Sequence, residues 1–381
     1  MSITIASTSA FSSGVLLAPA TNACLVPTDR TQITRRFTED GVYNREAPYF
    51  SKRFGYDIDD IPVIPNRYRI IGSVTCGWNR RQRIVLRLLG LQDVVNVESL
   101  PGGRDAKGWV LDPNGLGAIF GHTHLADFYA ATDPDFIGRA TSPTVIDEKT
   151  GKVVTNNYHT LTLDWETVWR PYWKPGAPDL YPKDLRPRID LLNQQLFDDI
   201  NNGTYKAIFP ADKRTALIQL HVFKARLEDL DFRLESRRYL FGERLTDSDV
   251  RLFQTLEAYE TMYRPGIVRR QGSEDGVPHV WDYPTLWAYA RDLFQTPGFI
   301  DDEELREFGF VPDNNGQYSS RLDAQEKQDV LAAGYFGGAP TVDREERYQA
   351  WLEPANREGL SGDVNYSGPG TAGLEKLWRF A

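Results

Sequence analysis

The spacing of the hydrophobic residues changes part-way along this chain, and that change limits the fold more than any other feature. Up to about residue 170, apolar runs of strand length alternate with short helical stretches. After a linker rich in proline (Pro171, Pro175, Pro178, Pro182) the spacing is helical for about another hundred residues. Mixed α and β, followed by α alone, predicts two differently built domains.

In the first half, residues 67–74 (RYRIIGSV) read as a buried strand. Ile84 with Leu88 and Val85 with Leu89 make 80–89 a helix stopped by Gly90. Residues 94–99 form a second strand, 101–103 open a loop, and a helix is expected near 125–131. Two apolar runs, 142–147 and 152–154, flank a turn ending in Gly151 and make a hairpin. A further helix is expected over 157–170. The order β-α-β, α, β-β, α is that of a thioredoxin-like domain. In the second half, Leu192, Leu196 and Ile200 mark one helical stripe, and Leu217, Leu220, Phe223, Leu227 and Leu230 another. Thr246-Asp247-Ser248-Asp249 has the shape of a helix N-cap, and 281–294 supplies another helix. The expected division is an extension over 1–66, with 30–66 as loop, an α/β domain over 67–170, an all-helical domain over 171–312 and a C-terminal extension over 313–381. One helix, 322–333, is expected within that tail.

The 381 residues carry 53 acidic and 44 basic side chains, a net charge of −9. That balance disfavours a general role in gripping nucleic acid or an anionic membrane, both of which need a cationic field. No apolar run approaches the roughly 20 residues of a membrane span. Two cysteines, Cys24 and Cys76, make no disulfide framework and fit a reducing compartment. Residues 1–29 contain no Lys or Arg, so a secretory leader is not expected. A cytoplasmic protein is the reading, with a Ser/Thr-rich organelle leader as the alternative.

Chemistry concentrates at Thr75-Cys76-Gly77-Trp78-Asn79-Arg80-Arg81. A cysteine between a strand end and a helix start meets free backbone N–H groups and the helix dipole, and Arg80, Arg81 and Arg83 add positive charge. All of these favour the thiolate, the reactive species. The alternative is a buried cysteine acting as a small hydrophobe. No second cysteine lies at CxxC spacing, so disulfide chemistry must borrow an external thiol. Ser142-Pro143 opens a strand where a cis proline would leave the Ser142 backbone free to pair with a peptide-like ligand. His122 and His124 lack further ligands at metal-site spacing, so no metal is expected.

A redox cysteine followed by Trp, Gly108-Trp109, GRATSPTVIDEKTGKVV, DLYPKDLRPRID, INNGTYKAIF, RYLFGERLTDSDVRLFQTL and DYPTLWAYARDLFQTPG occur in this order over about 67–300. Together they resemble the xi-class glutathione transferases, the glutathionyl-hydroquinone reductases. The resemblance implies a thioredoxin-like domain joined to an all-helical domain, glutathione as co-substrate, an aromatic substrate and a homodimer. Cys76 matches the nucleophile, which takes glutathione from a glutathionyl-hydroquinone as a mixed disulfide resolved by a second glutathione. Trp78 follows it in the motif, Trp109 matches a tryptophan contacting the thiol, Ser142 the residue pairing with its cysteinyl part before Pro143, and Tyr205 a tyrosine facing the aromatic ring. Two departures stand out. The family reads Cys-Pro-Trp-Ala where this chain has Cys76-Gly77-Trp78-Asn79. It reads Glu-Ser, which clasps the γ-glutamyl group, where this chain has Asn157-Tyr158. Loss of that carboxylate removes about 1.5–3 kcal/mol of charge-assisted contact. His159 or Arg139 could compensate, or another small thiol such as mycothiol could replace glutathione. The family's Tyr-rich C-terminal segment is also missing, so a second substrate-side tyrosine is not placed. Rival readings are a thioltransferase on small mixed disulfides and a non-catalytic aromatic-ligand binder.

Overall fold

A computed structural model describes residues 37–100, 104–301, 303–304, 311–312, 318–319 and 349–366. Cys24, the loop at 101–103 and the helix expected over 322–333 lie outside the described residues. Two short parallel strands, β1 (Phe54–Gly55) and β2 (Ile61–Pro62), fall where a loop is expected. β3 (Tyr68–Gly72) is the inner strand of a sheet, buried at every residue but Arg69. Next comes α1 (Gly77–Leu89), three residues longer at its start than expected, so that it begins directly after Cys76. Gly90 ends it at φ 73, a conformation that favours glycine.

β4 (Asn96–Ser99), a small hairpin of β5 (Arg104–Asp105) and β6 (Gly108–Trp109), α2 (Leu116–Phe120) and α3 (Leu125–Thr132) follow. The expected hairpin is β7 (Thr144–Asp147) and β8 (Lys152–Thr155). The sheet order is β4-β3-β7-β8, with β4 parallel to β3 and the other pairs antiparallel. Ile70 lies opposite both Val97 and Val145. Strand alternation divides the interior: Ile70 and Val145 face the large core shared with the helices, while Ile71 and Ile146 face a second cluster with Leu125, Phe128 and Tyr129.

The helix expected over 157–170 is reduced to α4 (Leu161–Trp165). Its first turn is lost because the Asn157 Oδ1 accepts the His159 N–H at 3.3 Å, a local turn that competes with helix. Beyond the linker lie α5 (Arg186–Gln195), a π-helical turn at Leu196–Asn201, α6 (Gly203–Ile208), α7 (Lys213–Leu234), α8 (Asp247–Ala258), a second π-helical turn at Tyr259–Tyr263, α9 (Arg264–Gln271) and α10 (Pro284–Gln295). The expected stripe on α7 is buried except Leu217, which is 47% exposed and turns to solvent. The N-cap at Thr246 is a capping box, with the Asp249 carboxylate accepting the Thr246 N–H at 2.8 Å. Among the described residues no helix is long and apolar enough to cross a membrane.

α1 joins the two regions. Every residue of it but Arg87 is buried, and it packs against α8 and α4. Whatever Cys76 does is therefore done from a helix start held on several sides.

Candidate active site

Cys76 is the N-cap of α1, extended at φ −89 and ψ 110, and partly exposed. Its carbonyl accepts the N–H groups of Asn79 and Arg80, both at 2.9 Å, which fixes the first turn beneath the sulfur. Its Sγ lies 3.2 Å from the Ser142 carbonyl, and the Ser142–Pro143 peptide bond is cis. The Ser142 Oγ in turn accepts the Ser73 N–H at 3.1 Å, tying the proline loop to the strand that leads into the cysteine. Cys76, Ser142 and Pro143 thus meet at one point, although they are 66 residues apart.

The arginines that follow act differently from expectation. Arg80 pairs with Glu257, and Arg83 pairs with Asp301 at 3.0 Å and Glu303 at 2.6 Å. Their charge is neutralised there rather than offered to the thiol. Arg81 differs: its Nη2 donates to the Tyr158 carbonyl, while Nε and Nη1 are buried without a hydrogen-bond partner. Burial, with Arg251 nearby, pushes Arg81 down to about 9, so it is still charged at neutral pH.

Aromatic rings wall the site. Trp78 is 5% exposed, with Tyr158 at 4.8 Å, Phe197 at 5.7 Å and Tyr205 at 6.3 Å between ring centroids. Tyr205 lies on α6, near enough to Cys76 for the charge of its sulfur to act on the phenol. Burial raises the Tyr205 pKa, and so does that charge, while Arg45 pulls it back; the phenol keeps its proton at neutral pH. Tyr263, which no sequence pattern singled out, sits 5.7 Å from Tyr205, hydrogen-bonds to it and also feels the Cys76 charge. It belongs to the second π-helical turn, where an extra residue per turn shifts it off the α8 stripe.

The segment before β1 also enters the site. Tyr43 stacks on Tyr205 at 6.3 Å, and the Arg45 guanidinium lies 4.7 Å from the Trp78 ring and 4.2 Å from that of Tyr205. Arg45 Nε donates to Asn202 Oδ1 at 2.9 Å. The Phe50 N–H donates to Asn156 Oδ1 at 2.8 Å, the Phe50 carbonyl accepts the Asn156 N–H at 2.9 Å, and Arg53 binds Asp164. Residues 43–53 therefore form a strap from the helical region to the sheet edge. Trp109, by contrast, packs with Leu111, Phe128 and Tyr129 beneath an Arg104 guanidinium at 4.8 Å. No described contact joins it to Cys76.

Known proteins can be compared with this geometry. No family model matches the chain. Glutathionyl-hydroquinone reductase YqjG of Escherichia coli (strain K12) is 30% identical over 243 residues, 62% of this chain and 71% of that protein. The chain belongs to the glutathionyl-hydroquinone reductases, the xi-class glutathione transferases. Two solved structures carry the same fold. A glutathione transferase from Gordonia bronchialis aligns with TM-score 0.64 and 31% identity, over 82% of this chain and 92% of that one. The xi transferase of Phanerochaete chrysosporium aligns with TM-score 0.62 and 27% identity, over 69% and 88%. The sheet region and the helical region are those of the glutathione transferase fold, and the protein is an oxidoreductase of that type.

Set against the family motif, the two departures are accommodated locally. A Cβ on Gly77 would collide with Gln254 Oε1, so the side chain of α8 occupies the space a proline ring would need. Asn79 likewise fills the space above Gly72, and its Nδ2 donates to the Ser73 carbonyl at 3.0 Å. In place of Glu-Ser, Asn157 closes the turn to His159, and the buried Tyr158 ring packs on Trp78. His159 is pushed down to about 3 by burial and by Arg81, Arg251 and Arg45, so it is neutral and adds no charge. Arg139 lies 3.6 Å from Glu46 of the strap.

Proposed function

We propose that this enzyme removes the thiol group from a glutathionyl-hydroquinone, with Cys76 as nucleophile. The observation that carries the reading is the junction of Cys76 Sγ with the carbonyl that precedes cis Pro143, with Tyr205 near enough for the two side chains to influence each other. In the keto tautomer of the substrate the thioether carbon is saturated. The Cys76 thiolate attacks the substrate sulfur, an S–S bond forms and the C–S bond breaks. The released electron pair enters the ring and appears as a phenolate, which takes up a proton to give the hydroquinone. A second thiol then attacks the mixed disulfide and frees Cys76. Tyr205, protonated and hydrogen-bonded with Tyr263, is suited to donate to the quinol oxygen. Trp78, Ser142 and Pro143 shape the thiol subsite, and Arg139 with Trp109 would meet the rest of the thiol molecule.

Asn157 and Tyr158 favour a second reading of the co-substrate. With no carboxylate at 157 and a neutral His159, the site offers little to a γ-glutamyl ammonium. A thiol without that group, such as mycothiol, would lose nothing there. The test is release of free hydroquinone from glutathionyl- and mycothiyl-hydroquinone, wild type against Cys76→Ser, with each thiol titrated separately. Glutathione should work with a KM about tenfold to hundredfold above that of the Asn157→Glu/Tyr158→Ser variant. No turnover with either thiol, or turnover retained by Cys76→Ser, rules the mechanism out. The family resemblance also implies a homodimer, which light scattering would check.

A further inference from the structure

Arg45 has an environment unlike that of the other arginines around α1. Arg80, Arg83 and Arg87 meet carboxylates. Arg45 has aromatic faces instead, those of Trp78, Tyr205 and, at 5.7 Å, Tyr43. Asn202, a neutral amide, accepts the hydrogen bond of its Nε–H. Its Nη2 is out of water and has no hydrogen-bond partner among the described residues. A charged donor left buried and unpaired is costly, so the position asks for an acceptor that the described residues do not supply. Arg81 also has unmade donors, but it is 0% exposed and enclosed by Trp78 and Tyr158, where a ligand cannot reach it. Arg45 is only half-buried as a residue, although Nη2 itself is covered, and it lies among aromatic faces that suit a flat ring, with that donor left over for an oxygen on the ring.

We propose that Arg45, supplied by the strap, is a catalytic residue that binds the phenolate oxygen of the aromatic leaving group through Nη2. The proposal rests on the hydroquinone reading above. As the C–S bond breaks, its electron pair passes through the ring to a phenolic oxygen while the S–S bond forms at Cys76. The Arg45 N–H hydrogen-bonds that developing charge, as oxyanion donors do, and a proton from Tyr205 or water then completes the hydroquinone. The strongest charge effects on the guanidinium come from the phenols of Tyr43, Tyr158, Tyr205 and Tyr263, and among the described residues it makes no ion pair with a carboxylate.

The test uses 4-nitrophenol, whose yellow anion reports its own ionisation, with the full-length Cys76→Ser protein so that no turnover intervenes. Bound nitrophenol should ionise about one to two pH units below the free compound. In Cys76→Ser/Arg45→Met that shift should vanish, and Arg45→Lys should restore part of it. Absence of binding or of any shift in Cys76→Ser overturns the proposal without recourse to an Arg45 variant. A shift that survives Arg45→Met overturns it as well. With Cys76 present, Arg45→Met should lower kcat/KM for glutathionyl-hydroquinones about tenfold to hundredfold, and most for rings with the least acidic phenols. An equal loss for every ring overturns the proposal. A nitrophenol shift that depends on Arg45 in an enzyme with no reductase activity upholds the phenolate site and sinks the hydroquinone reading instead.

Discussion

Gly77 stands at the first helical position after the thiol, where proline is otherwise favourable because its missing N–H has no partner to lose. Here the side chain of Gln254 occupies the space, and its Nε2 is held by Thr255 Oγ1 at 2.8 Å in a buried setting. Gly77→Pro is therefore expected to destabilise the wild type by about 1–3 kcal/mol through overpacking. In a Gln254→Ala background the same change should be neutral or stabilising, since only the gain from a stiffer unfolded chain remains. Urea unfolding of the four proteins of this cycle decides the matter, and an equal cost in both backgrounds would acquit Gln254. Cys76, Ser142, Pro143 and Tyr205 were all legible in the sequence, because each belongs to a short distinctive motif. Arg45 and Tyr263 were not. Arg45 lies in a stretch without period and gains its meaning from rings more than thirty positions away, and Tyr263 is turned out of its stripe by the π-helical turn.

At the scale of elements, strands and helices from β3 to α10 were readable wherever one face is apolar at a regular spacing, as on α7, β3 and β7. The strap was missed because its order comes from individual side chains, Arg53 on Asp164 and Asn156 on Phe50, which leave no periodic mark. The helix over 157–170 was overread for the opposite reason, since its apolar residues hid the Asn157 turn. α8 shows how much one cap can hold. The Asp249 Oδ2 accepts the N–H of Thr246, while Oδ1 accepts the Leu240 N–H and the Tyr289 hydroxyl, each at 2.9 Å. Asp249→Ala leaves several buried donors without an acceptor, and a loss of about 2–4 kcal/mol is expected from chemical unfolding. Thr246→Ala should cost only about 1 kcal/mol. If the two prove equal, the Leu240 and Tyr289 bonds contribute nothing.

For the whole molecule, the decisive contacts run between α1 and the chain after α10. Arg87 donates to the carbonyls of Gly298 and Phe299 and binds Asp301 at 2.6 Å and Glu304 at 3.0 Å. Glu304 is fully buried among three arginines, Arg87 at 3.0 Å, Arg83 at 3.8 Å and Arg80 at 3.9 Å, and Arg87→Met removes the nearest of them along with its bonds to Asp301, Gly298 and Phe299, so a loss of about 3 kcal/mol is expected. Breaking the exposed Arg170–Asp179 pair by Arg170→Met should cost at most about 1 kcal/mol. Comparable urea midpoints for the two variants would refute the distinction. The same contacts bear on how the chain is made. Arg87 waits for Glu304, 217 residues downstream, which at roughly 5–20 residues per second is about 10–40 s of synthesis. Until then a nascent polypeptide carries Cys76 on a helix whose cations have not met their counter-ions, so the seat of that helix is completed only when the far end of the fold emerges.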